Sequence, residues 1–284
     1  MTYQSKSIVV ISWDGEAEPL SHILLDTVSS FDIFLIDYSG NDNLSTVINF
    51  KPTYYLSKKS ECKGDLINNV SQYLIQHSII DFKYIGFLDD DIFISISDLN
   101  KLLFIATLEN LDAFQSSLTH DSYFHHRQFI HKPGCIVQET PWVEIMAPFY
   151  SNEIFTSAAP YLNKSISGTG TDVYLIPTIQ QILGKTKTAV IHAVQMKHCR
   201  PIRTGNRIFS NQKSCLQEIH EMQGFCKTLF FESYVTHKSQ TNRLFIKKVL
   251  NHNYSNGIPL RYKLARVIPM IKNLYKLVVD ASYR

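Results

Sequence analysis

Three consecutive carboxylates, Asp89, Asp90 and Asp91, follow the apolar run YIGFL at residues 84–88. Such a run is typical of a buried strand, whereas adjacent negative charges rarely lie inside a core. Carboxylates two residues apart on an extended segment can both approach one hard cation, and oxygen ligands favour Mg²⁺ or Mn²⁺. A cation held this way keeps open positions for substrate phosphates. The acids therefore predict a metal site, although a single acid would also suit the N-terminus of the next helix.

A glycine-rich turn with the sequence SGTGTD occupies residues 167–172. Its glycines allow the backbone to approach a ligand closely, and they place Asp172 in the first turn of a predicted helix. The spacing is not the GxGxxG pattern of a dinucleotide site. The alternative is an acid that caps the helix beside a tight turn.

A basic loop, HCRPIRTGNR, follows a predicted strand that contains His192 and ends at His198. Its arginines are Arg200, Arg203 and Arg207. Either histidine could complete a metal shell begun by the acids, and the arginines could neutralise a diphosphate leaving group. A single histidine is as readily a satisfied core or surface residue.

The elements that position these residues alternate between strands and helices. Apolar runs that end in an acid predict strands at 7–15, 32–40 and 82–91, and helical spacing predicts helices at 64–77 and 97–111. Further strands are predicted at 141–151 and 188–198, and further helices at 167–183 and 212–235. The pattern predicts an α/β fold with a mostly parallel sheet. Ligands of such sheets bind outside the carboxyl ends of the strands, where Asp14, Asp37 and Asp89 to Asp91 are expected.

Composition is typical of one globular domain: the 284 residues are 44% hydrophobic and 12% aromatic. No apolar run is long enough to span a bilayer, and the N-terminal apolar run is expected to be a strand rather than a secretory signal. The five cysteines form no CxxC pair and are odd in number, which predicts free thiols in a reducing, cytoplasmic compartment.

Basic charge is concentrated in the last part of the chain. Residues 243–284 contain nine Lys or Arg and one acid, a net +8, so the net +3 of the chain leaves −5 for the preceding residues. From Leu260 onward, apolar residues recur at helical spacing. We predict a catalytic domain at 1–240 and a basic amphipathic tail at 241–284. The tail either packs its apolar stripe on the domain or binds an anionic membrane surface. Nucleic-acid binding is not expected, because the excess of basic charge lies in this one predicted helix and does not extend across the domain.

Several segments resemble known glycosyltransferases. FLDDDI at a strand end resembles the DxD motif of GT-A-fold glycosyltransferases. VEIMAPFYS, SGTGTD and AVIHAVQMKH, in that order, resemble a plant and bacterial glycosyltransferase-like family known as a domain of unknown function. The resemblance covers roughly residues 5–205. The chain differs from it at Thr169, where tryptophan is typical, and at His192, where an acid is common.

The resemblance implies a GT-A-like fold, a nucleotide-sugar donor and an Mn²⁺ or Mg²⁺ cofactor. It assigns the metal to Asp89, Asp91 and His198. It assigns the donor to Asp37, Lys63 and Asp89. Asp90 of the acid cluster and Arg200 and Arg203 of the basic loop are further candidates for donor binding. Asp172 would be the catalytic base of an inverting reaction, with Glu144 as the other candidate, and a retaining reaction would need no base.

The predicted function is transfer of a sugar to a hydroxyl of a saccharide or lipid-linked acceptor. The setting would be bacterial surface-polysaccharide or lipopolysaccharide assembly, in the cytoplasm or on the inner face of the cell membrane. Two alternatives remain at this point. One is a metal-dependent nucleotidyltransferase, which would release pyrophosphate. The other is an inactive, membrane-associated protein that kept the fold.

Overall fold

The computed structural model describes residues 6–16, 18, 20–42, 44, 52–201 and 207–237. The chain divides into two units, Met1–Tyr234 and Val235–Arg284. The fold described below is that of the first unit. Two sequence predictions lie outside the described residues: the basic tail at 241–284 and the donor contact of Arg203.

Ten strands form the sheet in the part of the chain that the structure describes. They are β1 (Ile8–Trp13), β2 (Ile23–Leu24), β3 (Asp32–Asp37), β4 (Tyr54–Ser57), β5 (Tyr84–Leu88), β6 (Ile92–Ser95), β7 (Ala113–Leu118), β8 (Val137–Glu139), β9 (Phe149–Ser151) and β10 (Thr188–His198). Their order is β2-β6-β10-β7-β9-β5-β1-β3-β4, and β8 pairs with β10. Strands β4, β3, β1 and β5 are parallel neighbours. The predicted α/β fold with a mostly parallel, GT-A-like sheet is confirmed.

Helices flank this sheet. They are α1 (Lys63–Gln76), α2 (Ile96–Leu108), α3 (Asn152–Ala158), α4 (Ile176–Leu183) and α5 (Cys215–His237). Strand side chains alternate between two cores: Val9 and Ile11 belong to one cluster with Leu102 of α2, whereas Ile8 and Val10 belong to another. Because neighbouring strand residues point to opposite faces, a strand that is apolar throughout must be covered on both sides. This explains the uninterrupted apolar runs of the sequence.

Strand β9 runs antiparallel to both of its neighbours, β5 and β7. On β5, Gly86 pairs with Phe149 of β9, and a Cβ built on Gly86 would lie 2.1 Å from the Phe149 ring. The ring of Phe149 also stacks on Phe114 of β7, with centroids 5.1 Å apart. Position 86 therefore requires glycine, because the Phe149 ring packs directly against the backbone of β5 there.

The structure differs from the sequence predictions in three details. The strand predicted at 141–151 is confined to Phe149–Ser151, and residues 141–148 are irregular. An unpredicted strand, β6, follows the acids directly. Helix α2, predicted at 97–111, spans Ile96–Leu108, and its cap is Ser95, which accepts a hydrogen bond from the Asp98 amide.

The five cysteines are free thiols. None of the helices described for the chain has the length and apolar character needed to cross a membrane.

Candidate active site

Acidic residues meet at the carboxyl edge of the parallel strands, as predicted. Asp14 follows β1, Asp37 ends β3 and Asp89 follows β5. A cleft of about 220 Å³ opens at this edge. Its lining comprises Ile11, Ser12, Trp13, Asp14, Glu18, Leu20, Ser21, His22, Ile23, Asp89, Asp90 and Arg200. The cleft occupies the position at which open α/β sheets bind their ligands.

Asp89 forms an ion pair with Lys63, the first residue of α1. The Lys63 side chain is 10% exposed, and the Asp89 side chain is 29% exposed. Burial raises the pKa of Asp89, while the charge of Lys63 and its hydrogen bond act in the opposite direction. The structure thus brings together two residues that the sequence predicted to bind the donor, although they belong to different elements.

Asp90 binds two partners on the rim of the cleft. The hydroxyl of Tyr38 donates a hydrogen bond to Asp90 Oδ2 over 2.8 Å, and the Arg200 guanidinium pairs with Asp90 Oδ1. Desolvation, followed by this hydrogen bond to Asp90, raises the pKa of Tyr38. Sequence reasoning predicted Asp90 and Arg200 as donor residues but missed Tyr38, which directly follows the acid that ends β3.

Asp91 lies between Arg200 and His198. Arg200 Nε is 2.9 Å from Asp91 Oδ2, and His198 Nε2 is 3.4 Å from the same oxygen. Desolvation would raise the pKa of Asp91. The hydrogen bond from His198 and the nearby positive charges outweigh that effect, so its pKa is lowered.

Asp91 and His198 fit the requirements of a divalent cation. Asp91 Oδ1 is buried and makes no hydrogen bond within the described part of the chain. The Nδ1 of His198 lies 2.9 Å from the Tyr123 carbonyl oxygen, which orients the ring so that Nε2 faces Asp91. Such support of the second ring nitrogen is usual for metal-binding histidines. The described residues contain no group of three or more His, Cys, Asp or Glu placed to hold a metal. Two protein ligands suffice where substrate phosphates complete the shell.

His192, the other histidine of β10, lies elsewhere. It is 1% exposed, and its Nδ1 accepts a hydrogen bond from the Lys132 amide over 3.2 Å. Its Nε2 lies 3.2 Å from Gln138 Oε1. Desolvation lowers the pKa of His192 to about 4, so the ring is neutral at physiological pH. Both ring nitrogens are engaged in protein hydrogen bonds, which is the arrangement of a structural histidine.

Asp37 lies at the predicted strand end, but it does not line the cleft. The side chain has no exposed surface. Asp37 Oδ1 accepts hydrogen bonds from the amide and hydroxyl of Ser39 over 2.9 and 2.6 Å, and Oδ2 accepts one from Ser57 over 3.2 Å. In this structure Asp37 therefore stabilises the turn after β3.

Asp172 and Glu144 are two further carboxyl groups, of which Glu144 is buried and Asp172 is half-buried. Burial raises the pKa of Asp172 to about 6, against hydrogen bonds from the amides of Ile145 and Val173. Burial and the charge of Asp172 raise the pKa of Glu144 to about 8. Glu144 Oε1 lies 4.0 Å from His126 Nε2, and Glu144 Oε2 has no hydrogen-bond partner among the described residues. At neutral pH, Asp172 is mostly ionised and Glu144 mostly protonated.

The irregular segment before β9 contacts both parts of the site. The amide of Ile145 donates a hydrogen bond to Asp172 Oδ2 over 3.3 Å. The next carbonyl, that of Met146, accepts one from the Asp89 amide over 3.2 Å. The Glu144 amide donates to Gln115 Oε1 over 2.6 Å. This segment, Glu144–Met146, therefore lies between the acid cluster that follows β5 and the candidate base.

The fold defined by this sheet and its acidic edge is GT-A-like, and comparison with solved structures supports that conclusion. No protein-family model matches the sequence, and no curated protein matches it. S. aureus TarS residues 1–349 in complex with UDP-GlcNAc is similar in structure. The TM-score is 0.50 at 11% identity over 92% of this chain and 78% of that one.

A second TarS structure, in complex with UDP, is similar at a TM-score of 0.50 and 10% identity, over 93% of this chain and 78% of that one. A further crystal structure of S. aureus TarS is similar at a TM-score of 0.50 and 10% identity. That match covers 91% of this chain but only 46% of that one. At these identities the comparisons show a shared fold.

Proposed function

We propose that this protein is a divalent-metal-dependent glycosyltransferase that moves a sugar from a nucleotide-sugar donor to an acceptor hydroxyl. The observation that carries the proposal is the pairing of Asp91 with His198 at the edge of a sheet whose fold is shared with a UDP-GlcNAc complex. One buried oxygen of Asp91 has no hydrogen-bond partner among the described residues, which supports a cation at this position.

The donor side consists of the acids and the two cations beside them. Asp91 and His198 would hold the metal, with Asp89 close to it. When bound, a divalent cation supplies a Lewis acid for the donor diphosphate. Lys63 and Arg200 already lie against these acids, so they are placed to neutralise phosphate oxygens as the leaving group acquires charge.

Asp172 is the base that we favour, and its use implies an inverting reaction. A general base works best when its pKa lies near the operating pH, and the pKa of Asp172, at about 6, meets this condition. Two backbone amides fix the orientation of its carboxylate. Glu144 retains its proton at neutral pH, so it suits hydrogen-bond donation to substrate better than proton removal.

The proposed acceptor is a saccharide or a lipid-linked saccharide of bacterial surface-polysaccharide or lipopolysaccharide assembly. The support is the basic amphipathic sequence of residues 241–284, which would hold the enzyme near an anionic membrane surface. This part of the proposal rests on sequence alone and places the protein on the cytoplasmic face of the membrane.

The experiment that tests the function is a screen of nucleotides and nucleotide sugars by thermal shift, with and without Mn²⁺. Product analysis then follows with saccharide acceptors. The proposal requires Mn²⁺-dependent stabilisation by a nucleotide and release of free nucleoside diphosphate. Release of pyrophosphate would instead identify a nucleotidyltransferase. Absence of metal-dependent nucleotide binding would identify an inactive protein that kept the fold.

A further inference from the structure

Glu218 is a buried acid that does not line the cleft. It lies in the first turn of α5 and has no exposed surface. Its two carboxylate oxygens accept five hydrogen bonds. The donors are the hydroxyls of Ser165 and Ser167, the amides of Ile166 and Ser167, and the side-chain amide of Asn211. Four of the five donors belong to one short turn, which we call the glycine turn, residues 165–170.

Helix α5 also packs against the backbone of the glycine turn. Gly168 and Gly170 have φ values of 83° and 90°, in the region that favours glycine. A Cβ on Gly170 would lie 3.1 Å from the Cβ of Met222, one helical turn after Glu218. Helix α5 therefore binds the turn through a carboxylate and through close packing at neighbouring positions of one face.

The glycine turn leads directly into the residues that carry the candidate base. The carbonyl of Gly168 accepts a hydrogen bond from the Thr171 amide over 3.0 Å, and that of Gly170 accepts one from the Tyr174 amide over 2.9 Å. Asp172 lies between these residues, in the π-helical turn Thr171–Leu175. A shift of the glycine turn would therefore shift the Asp172 carboxylate.

Packing alone does not account for a glutamate at position 218. Burial of a carboxylate carries a large desolvation cost unless the charge is fully hydrogen-bonded, whereas an apolar side chain would fill the space without that cost. Desolvation would raise the pKa of Glu218, but its hydrogen bonds from Ser167, Asn211 and Ile166 outweigh this effect and lower it. The ionised carboxylate accepts bonds through both oxygens, as a neutral amide cannot.

We infer that Glu218 is a positioning residue: from α5 it fixes the glycine turn and thereby the orientation of Asp172 towards the acceptor hydroxyl. This inference rests on the proposed function, because it concerns the base of that reaction. It gives a functional role to α5, for which the sequence predicted none.

The test compares Glu218→Gln with Glu221→Gln in the full-length chain. Glu221 lies on the same helix, but its side chain is 53% exposed and pairs only with Lys213 among the ion pairs described. The first measurement is hydrogen exchange of the amides in residues 165–171. Glu218→Gln should exchange faster there, because one carboxylate oxygen becomes an amide that faces N–H and O–H donors. Glu221→Gln should match the wild type.

The second measurement is kcat per nucleotide-binding site, determined by titration. A displacement of about 1 Å can cost on the order of 100-fold in rate, so we expect kcat of Glu218→Gln to fall by ~10- to 100-fold with donor KM nearly unchanged. The acidic limb of its pH profile should move to lower pH as water reaches Asp172. A variant that is merely less stable would lose nucleotide-binding sites in proportion to activity. Its kcat per site and the acidic limb of its pH profile would then match those of the wild type.

Two outcomes would overturn the inference: unchanged exchange in residues 165–171, or faster exchange with normal kcat per site. If Glu218→Gln does not fold, Ser167→Ala, which removes the hydroxyl donor of Ser167 to Glu218 and leaves its amide donor in place, provides the same comparison. A wild-type chain that transfers no sugar would overturn the proposed function instead. The exchange measurement would still decide whether Glu218 fixes the turn.

Discussion

The Nε2 atom of His198 lies 3.4 Å from Asp91 Oδ2, and the residues reach this distance from adjacent antiparallel strands, β6 and β10. Asp91 immediately precedes β6, and His198 ends β10, where it pairs with Ile92. The loop arginine Arg200 follows two residues later and reaches the same carboxylate. The proposed metal ligands are thus brought together by strand pairing rather than by the conformation of a long loop.

Replacement of Asp91 by alanine should abolish Mn²⁺-dependent nucleotide binding while the fold remains intact. The reason is that its buried oxygen, which has no hydrogen-bond partner in the described part of the chain, is the ligand that we propose for the metal. Calorimetry with a nucleotide in the presence of Mn²⁺ or EDTA measures the effect, and circular dichroism checks the fold. Wild-type turnover in a folded variant would contradict the assignment.

The two histidines of β10 provide a matched pair. His198→Ala should weaken Mn²⁺-dependent nucleotide binding much more than His192→Ala, because only His198 contacts Asp91. His192→Ala should chiefly lower the melting temperature, since it removes the acceptor of the Lys132 amide and one of the hydrogen bonds to Gln138. The opposite ranking in the binding assay would transfer the metal to His192.

Asp172→Asn preserves the shape of the base and removes its basicity. Loss of a general base costs on the order of 10²- to 10⁴-fold in kcat, and donor affinity should change little. Steady-state kinetics with both substrates measures the effect. Glu153→Gln, at an exposed ion pair with Lys185, is the control. An unchanged kcat would reduce Asp172 to a structural acid and favour Glu144 as base or a retaining mechanism.

Glu144→Gln should change the pH dependence of stability. The pKa of Glu144 rises from 4.5 in the unfolded chain to about 8 in the fold. The fold therefore favours the protonated side chain, and its contribution to stability is complete below about pH 4.5. This contribution is lost as the pH rises from about 4.5 to about 8. Relative to wild type, the glutamine variant should therefore gain stability across this window, by at most a few kcal/mol at about 1.4 kcal/mol per pKa unit.

Urea unfolding at pH 5 and pH 8 measures this difference between the two proteins. Equal differences in unfolding free energy at the two pH values would show that Glu144 ionises normally in the fold. A wild type that gains stability relative to the variant at pH 8 would show that its carboxylate has a partner.

Gly86→Ala should destabilise the sheet, because the new Cβ would overlap the Phe149 ring. Overpacking of this kind costs about 1–3 kcal/mol. Gly224→Ala on α5 is the control: a Cβ there would meet no atom of the described residues within 4 Å, so the change should be neutral or stabilising by up to ~1 kcal/mol. Thermal unfolding of both variants measures the contrast. Equal melting temperatures would show that β9 can move away from β5.

The basic tail leads to a binding prediction. The full chain should sediment with anionic liposomes in a salt-sensitive manner, and a truncation before Ile258 should not, because each Lys or Arg near anionic lipid contributes about 1 kcal/mol. Neutral liposomes serve as the control. Equal sedimentation of both proteins, or an insoluble truncation, would favour a tail that packs on the catalytic domain.

The acidic edge of the sheet could be predicted because three apolar runs each end in an acid. In a parallel sheet, the carboxyl ends of the strands lie at one edge, independently of the conformation of the connecting loops. The pairing of His198 with Asp91 was also predictable in outline, because His198 ends a strand and a strand can run back to that edge. The metal role of these residues and the donor role of Lys63 remain predictions.

Other parts of the site could not be predicted, because they depend on backbone groups or on an unusual burial. The apolar character of residues 141–148 indicated a strand, but Ile145 uses its amide to bind Asp172 instead of a neighbouring strand. A glutamate on a helix is normally exposed, so Glu218 carried no signal in a single sequence. Tyr38 carried none because its partner, Asp90, belongs to a different strand end.

The segment Glu144–Met146 has a consequence for how this site can vary. One peptide unit separates the amide that binds Asp172 from the carbonyl that binds the Asp89 backbone. The spacing between Asp89 and Asp172 is thereby determined by covalent geometry, which is nearly constant. Insertion or deletion of a single residue here would alter the distance between the proposed donor-binding acid and the proposed base, whereas changes in the surrounding loops would alter only what enters the cleft. Variation of substrate is therefore expected around this tripeptide and not within it.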